Sequence, residues 1–232
     1  MEIQAIAVQD GMYDSAIMVA AYTIIVEKSA LDLIHEASEA GDWAEIDEST
    51  FAEAGVTGVT ASNLAAVIDA LTTDGSAPWT ITQVQVIVDQ VNSEITKQIS
   101  LDLINSESEL GLLNSYDSEV TVTTFVYAGI TDVTAENQAY VRYYLEDSGK
   151  PYPRSVADIQ EIVNEAIQAM MVEAIYEYLR PYGFGARPTV EVFERAGITG
   201  VDDSNIDAIL DELMWAYDES VRDMFGTPMS TG

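Results

Sequence analysis

The chain has 232 residues, 48% of them hydrophobic, enough to fold around a core despite its charge. Its 40 acidic and 9 basic residues leave a formal net charge of -31, which argues against nucleic-acid binding through a basic surface and against docking on anionic lipid. With no cysteine and one histidine, the composition also argues against a disulfide scaffold, thiolate or zinc sites and Cys/His chemistry.

The first stretch, residues 1–79, opens with Ile3, Gln4 and Ile6, a helical pattern that Gly11 interrupts. A long helix is expected over 16–37, with Ile17, Ala20, Ala21, Ile24, Leu31 and Ile34 apolar. Its apolar run over 16–26 is too short to span a bilayer, and Met1-Glu2 without a basic stretch is no signal peptide. An acidic connection follows: Glu36, Glu39, Asp42, Glu45, Asp47 and Glu48. It lacks the spacing and the glycine of an EF-hand loop, so it reads as a solvated loop rather than a metal site.

Next comes the segment AGVTGVTASN, Ala54 to Asn63. It returns as AGITDVTAEN, Ala128 to Asn137, and as AGITGVDDSN, Ala196 to Asn205. Phe51, Phe125 and Phe193 each stand three residues before the Ala. The pattern predicts a short helix stopped by a left-handed glycine (Gly55, Gly129, Gly197). Val56, Ile130 or Ile198 should fold back onto the Phe in a Schellman ending. Thr60, Thr134 and Asp202 are N-cap candidates for the next helix. Val59 with Leu64, and Val201 with Ile206, fit a hydrophobic staple, which Gln138 breaks in the middle copy. The helix that follows should bury Leu64, Val67 and Leu71; Val141 and Leu145; and Ile206, Ile209 and Leu213.

Asp74 to Pro78 reads as a linker. Thr80 or Thr82 then caps a helix whose face is Val84, Ile87, Val88, Val91, Ile95 and Ile99, fraying over 105–114. Val120 to Thr124 is β-branched, but the repeat argues against a sheet there. Tyr140, Tyr143 and Tyr144 decorate the second corner's outgoing helix, where packing and an interface are both open readings. Ser148 to Pro153 forms a second linker. Ser155 and Asp158 make a capping box for a helix striped by Ile159, Ile162, Val163, Ala166, Ile167, Met170, Ala174, Ile175 and Tyr178. Arg180-Pro181 ends it. Arg180, Arg187 and Arg195 gather around a loop and read as partners for acidic neighbours, with anion binding as the alternative reading; GFGAR is no dinucleotide motif. A terminal helix runs from Asn205 to about Phe225. Val84-Gln85 matches Ile159-Gln160, and Ile3-Gln4 matches them faintly. The expected fold is therefore all-α: three tandem helical units over 1–79, 80–154 and 155–232, each a long helix plus a helix–Gly corner–helix.

VQVIVDQVN (84–92) or IQEIVNEAI (159–167), followed downstream by TFxxAGVTGVTxxNL, resembles a helical tandem repeat of very large bacterial surface and adhesin-like proteins, and of some marine phage virion proteins. The departures are Asp132, Asp202-Asp203 and the poorly matching start. The resemblance implies a helical spacer or adhesion-linked module and brings no catalytic residues.

His35 would have to serve any Ser-His-Asp triad, and no GxSxG is present, so it reads as a surface or capping histidine. No catalytic, cofactor-binding or metal-binding residue is assigned, and no cofactor is expected. The expected function is structural and non-enzymatic: a subunit of a larger assembly, foremost a phage virion component. A surface adhesion or binding module comes second and an acidic nucleic-acid mimic third. The expected partners are other protein subunits, self-association included, without nucleic acid or membrane insertion. The expected location is a virion or the extracellular surface. An acid-rich, lysine-poor surface (Lys28, Lys97 and Lys150 only) suits a saline medium that screens self-repulsion.

Overall fold

The computed structural model describes residues 2–5, 10–11, 18–21, 28–75, 77–180 and 185–225. Helices dominate them, and the fold is all-α apart from one small ribbon. In that ribbon β1 (Glu2–Ala5) pairs antiparallel with β2 (Met18–Ala21), Glu2 opposite Ala21 and Ala5 opposite Met18. Two expectations are corrected here. The opening pattern at Ile3-Gln4 is a strand, and the helix expected over 16–37 is a strand at 18–21 with a helix beginning only at Ala30. A short apolar run containing β-branched residues suits a strand as well as a buried helix, and periodicity cannot separate the two. The remainder of those two stretches, 6–9, 12–17 and 22–27, lies outside the described residues.

The helices are α1 (Ala30–Ala40), α2 (Glu48–Glu53), α3 (Leu64–Asp74), α4 (Ile81–Glu109), α5 (Val122–Tyr127), α6 (Gln138–Asp147), α7 (Val156–Leu179), α8 (Val190–Arg195) and α9 (Ile206–Phe225). Ser29 and Asp32 cap α1 reciprocally, and Gly41 ends it in the left-handed region at φ 65°. Asp47 caps α2 through the amides of Ser49 and Thr50, each at 3.0 Å, so part of the acidic connection is helix capping. Thr80 and Gln83 cap α4: the Thr80 amide donates to Gln83 Oε1 at 2.8 Å. The Ser155 and Asp158 box opens α7 as expected.

The chain forms two compact units, Met1–Ser93 and Glu94–Gly232. In the first, Ile34, Phe51, Val67, Leu71, Trp79, Val84 and Val88 make one core. The second holds two cores, one around Phe125, Val141, Leu145, Ile159 and Ile162, the other around Ile175, Leu179, Phe193, Val201 and Leu210. The three Phe side chains are fully buried, each contributing roughly 2–3 kcal/mol of transfer free energy. Helix α4 does not keep a single face: Val84 and Val88 are buried, but Ile99 is exposed while Ser100 and Ile104 turn inward. It also continues unfrayed to Glu109.

The three corners share one set of bonds. The amides of Val56, Ile130 and Ile198 reach back to the carbonyls of Phe51, Phe125 and Phe193, all at 2.9 Å. Those of Gly55, Gly129 and Gly197 reach Ala52, Val126 and Glu194 at 3.0, 3.0 and 2.9 Å. This is the Schellman ending, with φ of 84°, 81° and 81° at the glycines. Beyond it, Asn63, Asn137 and Asn205 bridge the loop. Their Oδ1 accepts from the amides of Thr60, Thr134 and Asp202 at 2.7, 2.8 and 2.8 Å. Their Nδ2 donates to the carbonyls of Gly58, Asp132 and Gly200 at 2.7, 2.7 and 2.8 Å. Asp202 alone of the three N-cap candidates also caps with its own side chain, accepting from Ser204 and Asn205 at 2.8 and 3.2 Å. Thr60 and Thr134 are held rather than holding: their amides are taken by the Asn. The third helix departs from the expected face, burying Ile206 and Leu210 while Ile209 and Leu213 stay partly exposed.

Candidate interaction surface

Alternate helical spacing places Tyr140, Tyr143 and Tyr144 on neighbouring positions of α6. Tyr144 packs against the core around Phe125. Tyr140 stacks on it with ring centroids 6.0 Å apart, and Tyr143 meets it edge-on at 6.1 Å. Tyr143 is 60% exposed and Tyr140 37%. The cluster therefore divides, one ring holding the core and two forming an aromatic ledge. Burial pushes the Tyr140 hydroxyl above its ordinary range, with the Glu173 carboxylate and Tyr144 adding to the shift.

Beside the ledge lies an open cleft of ≈ 730 Å³, lined by Tyr143, Tyr144, Asp147, Lys150 and Glu165 among others. Two residues of its lining, Ser148 and Lys150, are held through their carbonyls by a buried arginine. Arg154 is 2% exposed, and its guanidinium donates to the carbonyls of Leu145 (2.6 Å), Ser148 (3.0 Å) and Lys150 (3.3 Å) and to Ser108 Oγ (3.1 Å). It lies 4.0 Å from the Tyr152 ring centroid, a cation–π contact. The Arg154 amide donates to Asn105 Oδ1 at 2.8 Å. The linker from Ser148 to Pro153, loose in sequence terms, is thus wound around one cation. Lys150 at the rim has its amine held above the ordinary range, first by its hydrogen bond to Glu161.

His35, Arg180 and Arg187 have structural partners, whereas Arg195 makes no ion pair among the described residues. His35 is half-buried, with Nε2 3.0 Å from the Trp79 amide and 2.9 Å from the Trp79 carbonyl, so it accepts in one tautomer and donates in the other. Trp79 Nε1 donates to Asp74 Oδ2 at 2.7 Å. His35 thereby ties α1 to the start of α4 instead of standing on the surface. Arg180 pairs with Glu173 and Glu177, and Arg187 with Asp207, as expected of partners for acidic neighbours. Tyr182, Gly183 and Phe184 lie outside the described residues.

The clamps on the corners escaped the sequence reading. Gln85 in α4 accepts the Thr57 amide at 2.8 Å and donates to its carbonyl at 3.0 Å, 28 residues away. Gln160 in α7 does the same to Thr131 at 2.8 and 3.3 Å, 29 residues away. The recurring apolar-Gln pair was the visible signal; its partner was not. Among the described residues, no group of three or more His, Asp or Glu could hold a metal ion, and no helix is long and apolar enough to cross a membrane.

Comparison of the chain with protein-family models, curated proteins and solved structures found no match in any of the three.

Proposed function

We propose that this chain is a structural, non-enzymatic subunit of a larger protein assembly, foremost a phage virion component. The observation that carries the proposal is the aromatic ledge of Tyr140 and Tyr143. These are large rings held rigid by Tyr144 and presented to solvent, and such residues give contact area at low entropy cost. The polar side chains support it in a second way. His35, Gln85, Gln160, Asn63 and Asn137 are all spent on bracing backbone. The acidic surface keeps copies apart at low salt and lets them approach where salt screens them. The motif's resemblance to units of virion proteins gives the proposal its setting.

A second reading, a bacterial surface adhesion or binding module, draws on the cleft beside the ledge. Isolation from the native source in molar salt, followed by sedimentation, separates the two. A virion subunit sediments with a particle, and Tyr140→Ser/Tyr143→Ser weakens its incorporation. Recovery as a lone chain, or incorporation unaffected by that double change, would contradict the proposal.

A further inference from the structure

The three corners are built alike but are not covered alike. The residue after the glycine is 2% exposed in the first corner (Val56) and 2% in the second (Ile130), but 39% in the third (Ile198). Four and eight residues beyond the bridging Asn stand Val67 and Leu71, Val141 and Leu145, all 0% exposed. Their counterparts Ile209 and Leu213 are only partly buried. The bridging Asn itself is buried at 63 and 137 and half-buried at 205. One difference accounts for all of this. The first corner is covered by the opening turns of α4 and the second by those of α7, each through its Gln clamp. Thr199 holds the place of Thr57 and Thr131, and among the described residues nothing accepts its amide.

We propose that the third corner is an acceptor face for a helix supplied by another protein chain. The helix enters as α4 and α7 enter: an apolar residue, then Gln, then Asp or Asn four residues on, as in Val84-Gln85 with Asp89 and Ile159-Gln160 with Asn164. In both precedents the Gln amide also donates to that Asp or Asn, at 2.8 and 3.0 Å, which orients the clamp. The incoming Gln grips the Thr199 backbone, and the apolar residues of its face cover Ile198, Ile209 and Leu213. The two cis interfaces specify the partner's chemistry: the geometry is already made twice, and only the third strand of connectivity differs. This inference rests on the assembly reading above and gives it a second surface, distinct from the Tyr140 and Tyr143 ledge.

The probe is a peptide of residues 155–179, added to isotope-labelled full chain in about half-molar salt, where the Debye length of roughly 4–5 Å suppresses repulsion between acidic surfaces. Saturable shifts are expected at Ile198, Thr199 and Ile209, and none at Thr57 or Thr131, whose clamps are occupied. The peptide carrying Gln160→Ala should bind at least about tenfold more weakly, the loss expected of two hydrogen bonds. Because a free peptide helix is marginal, the same segment is also appended to the chain through a flexible linker, which raises its effective concentration to about millimolar. Thr199 amide exchange should then slow at least about tenfold. No effect at the third corner in either form overturns the inference. So does a Thr199 amide already as protected as Thr131 in the unmodified chain, which would mean the chain's own residues cover the face. If the corner binds no helix yet the chain sediments with a particle, only the docking inference fails. If the corner binds but the native chain is found alone, only the assembly reading fails.

Discussion

Gln160 holds Thr131 from both sides: its Oε1 accepts the Thr131 amide at 2.8 Å and its Nε2 donates to the Thr131 carbonyl at 3.3 Å. A side-chain amide here completes a backbone as a neighbouring strand would, and Gln85 repeats the arrangement on Thr57. Removing either Gln leaves an amide and a carbonyl with only water to turn to. Gln85→Ala and Gln160→Ala should each lower unfolding free energy by about 1–3 kcal/mol in urea titration. Gln160→Glu keeps the acceptor and loses the donor, so it should fall between. Unchanged midpoints would mean that the clamps are ornamental.

Left-handed backbone makes opposite demands at two nearby positions. Gly129 sits at φ 81°, where a Cβ would meet nothing closer than Lys97 Cε at 3.8 Å, so strain rather than crowding is the cost of Gly129→Ala. That cost should be about 1 kcal/mol or more. Asp132, at φ 66°, stands where the other corners have Gly58 and Gly200, both at φ 84°. Asp132→Gly should therefore raise the melting midpoint, by an amount equivalent to roughly 0.5–1 kcal/mol. A destabilised Asp132→Gly would show that the Thr131 Oγ1 hydrogen bond to its carboxylate matters more than the strain.

Arg154 is buried, has no carboxylate partner among the described residues, and spends its charge on three carbonyls and a hydroxyl. Arg154→Met would strand those acceptors and should cost about 3 kcal/mol or more. Arg154→Lys should recover little, because an ammonium cannot match the planar fork. Equal stability of Arg154→Lys and the natural chain in thermal unfolding would contradict the account of the linker.

Asp32, Asp47, Asp158 and Asp202 all have carboxyls held below the ordinary range. The first cause in each is a hydrogen bond from a nearby serine hydroxyl: Ser29, Ser49, Ser155 and Ser204. A folded-state value below the unfolded one means the stabilisation is complete above the ordinary aspartate value of 3.8 and fades as pH falls through the depressed folded values. Asp158→Ala should thus unfold earlier than the natural chain at neutral pH, and the gap should close as pH drops below that value. A gap that persisted at pH ~2 would place the effect in packing rather than in the ionised cap.

The corners were legible in the sequence because their signals are local: a Phe, a glycine four residues on, and an Asn at a fixed distance. The role of that Asn was missed, though its recurrence at 63, 137 and 205 was in view. The ribbon of residues 2–5 and 18–21 was not legible, since Met18–Ala21 reads equally as strand or helix and only a pairing partner decides. Nor was the buried Arg154, because charge is normally a sign of surface. The clamps pair residues 28 and 29 apart, a separation that no helical or strand period reports. The partial exposure of Ile209 and Leu213 was hidden for the same reason: their pattern is identical to that of covered counterparts, and only the covering helix differs.

The most direct test of the central claim, that one corner is made three times and clamped twice, is amide hydrogen exchange of the unmodified chain at Thr57, Thr131 and Thr199. Thr57 and Thr131 should be protected, and Gln85→Ala and Gln160→Ala should release each in turn, while Thr199 should exchange at close to the rate of an open loop. Equal protection at all three threonines, or protection at Thr57 and Thr131 that survives loss of the glutamines, would contradict it.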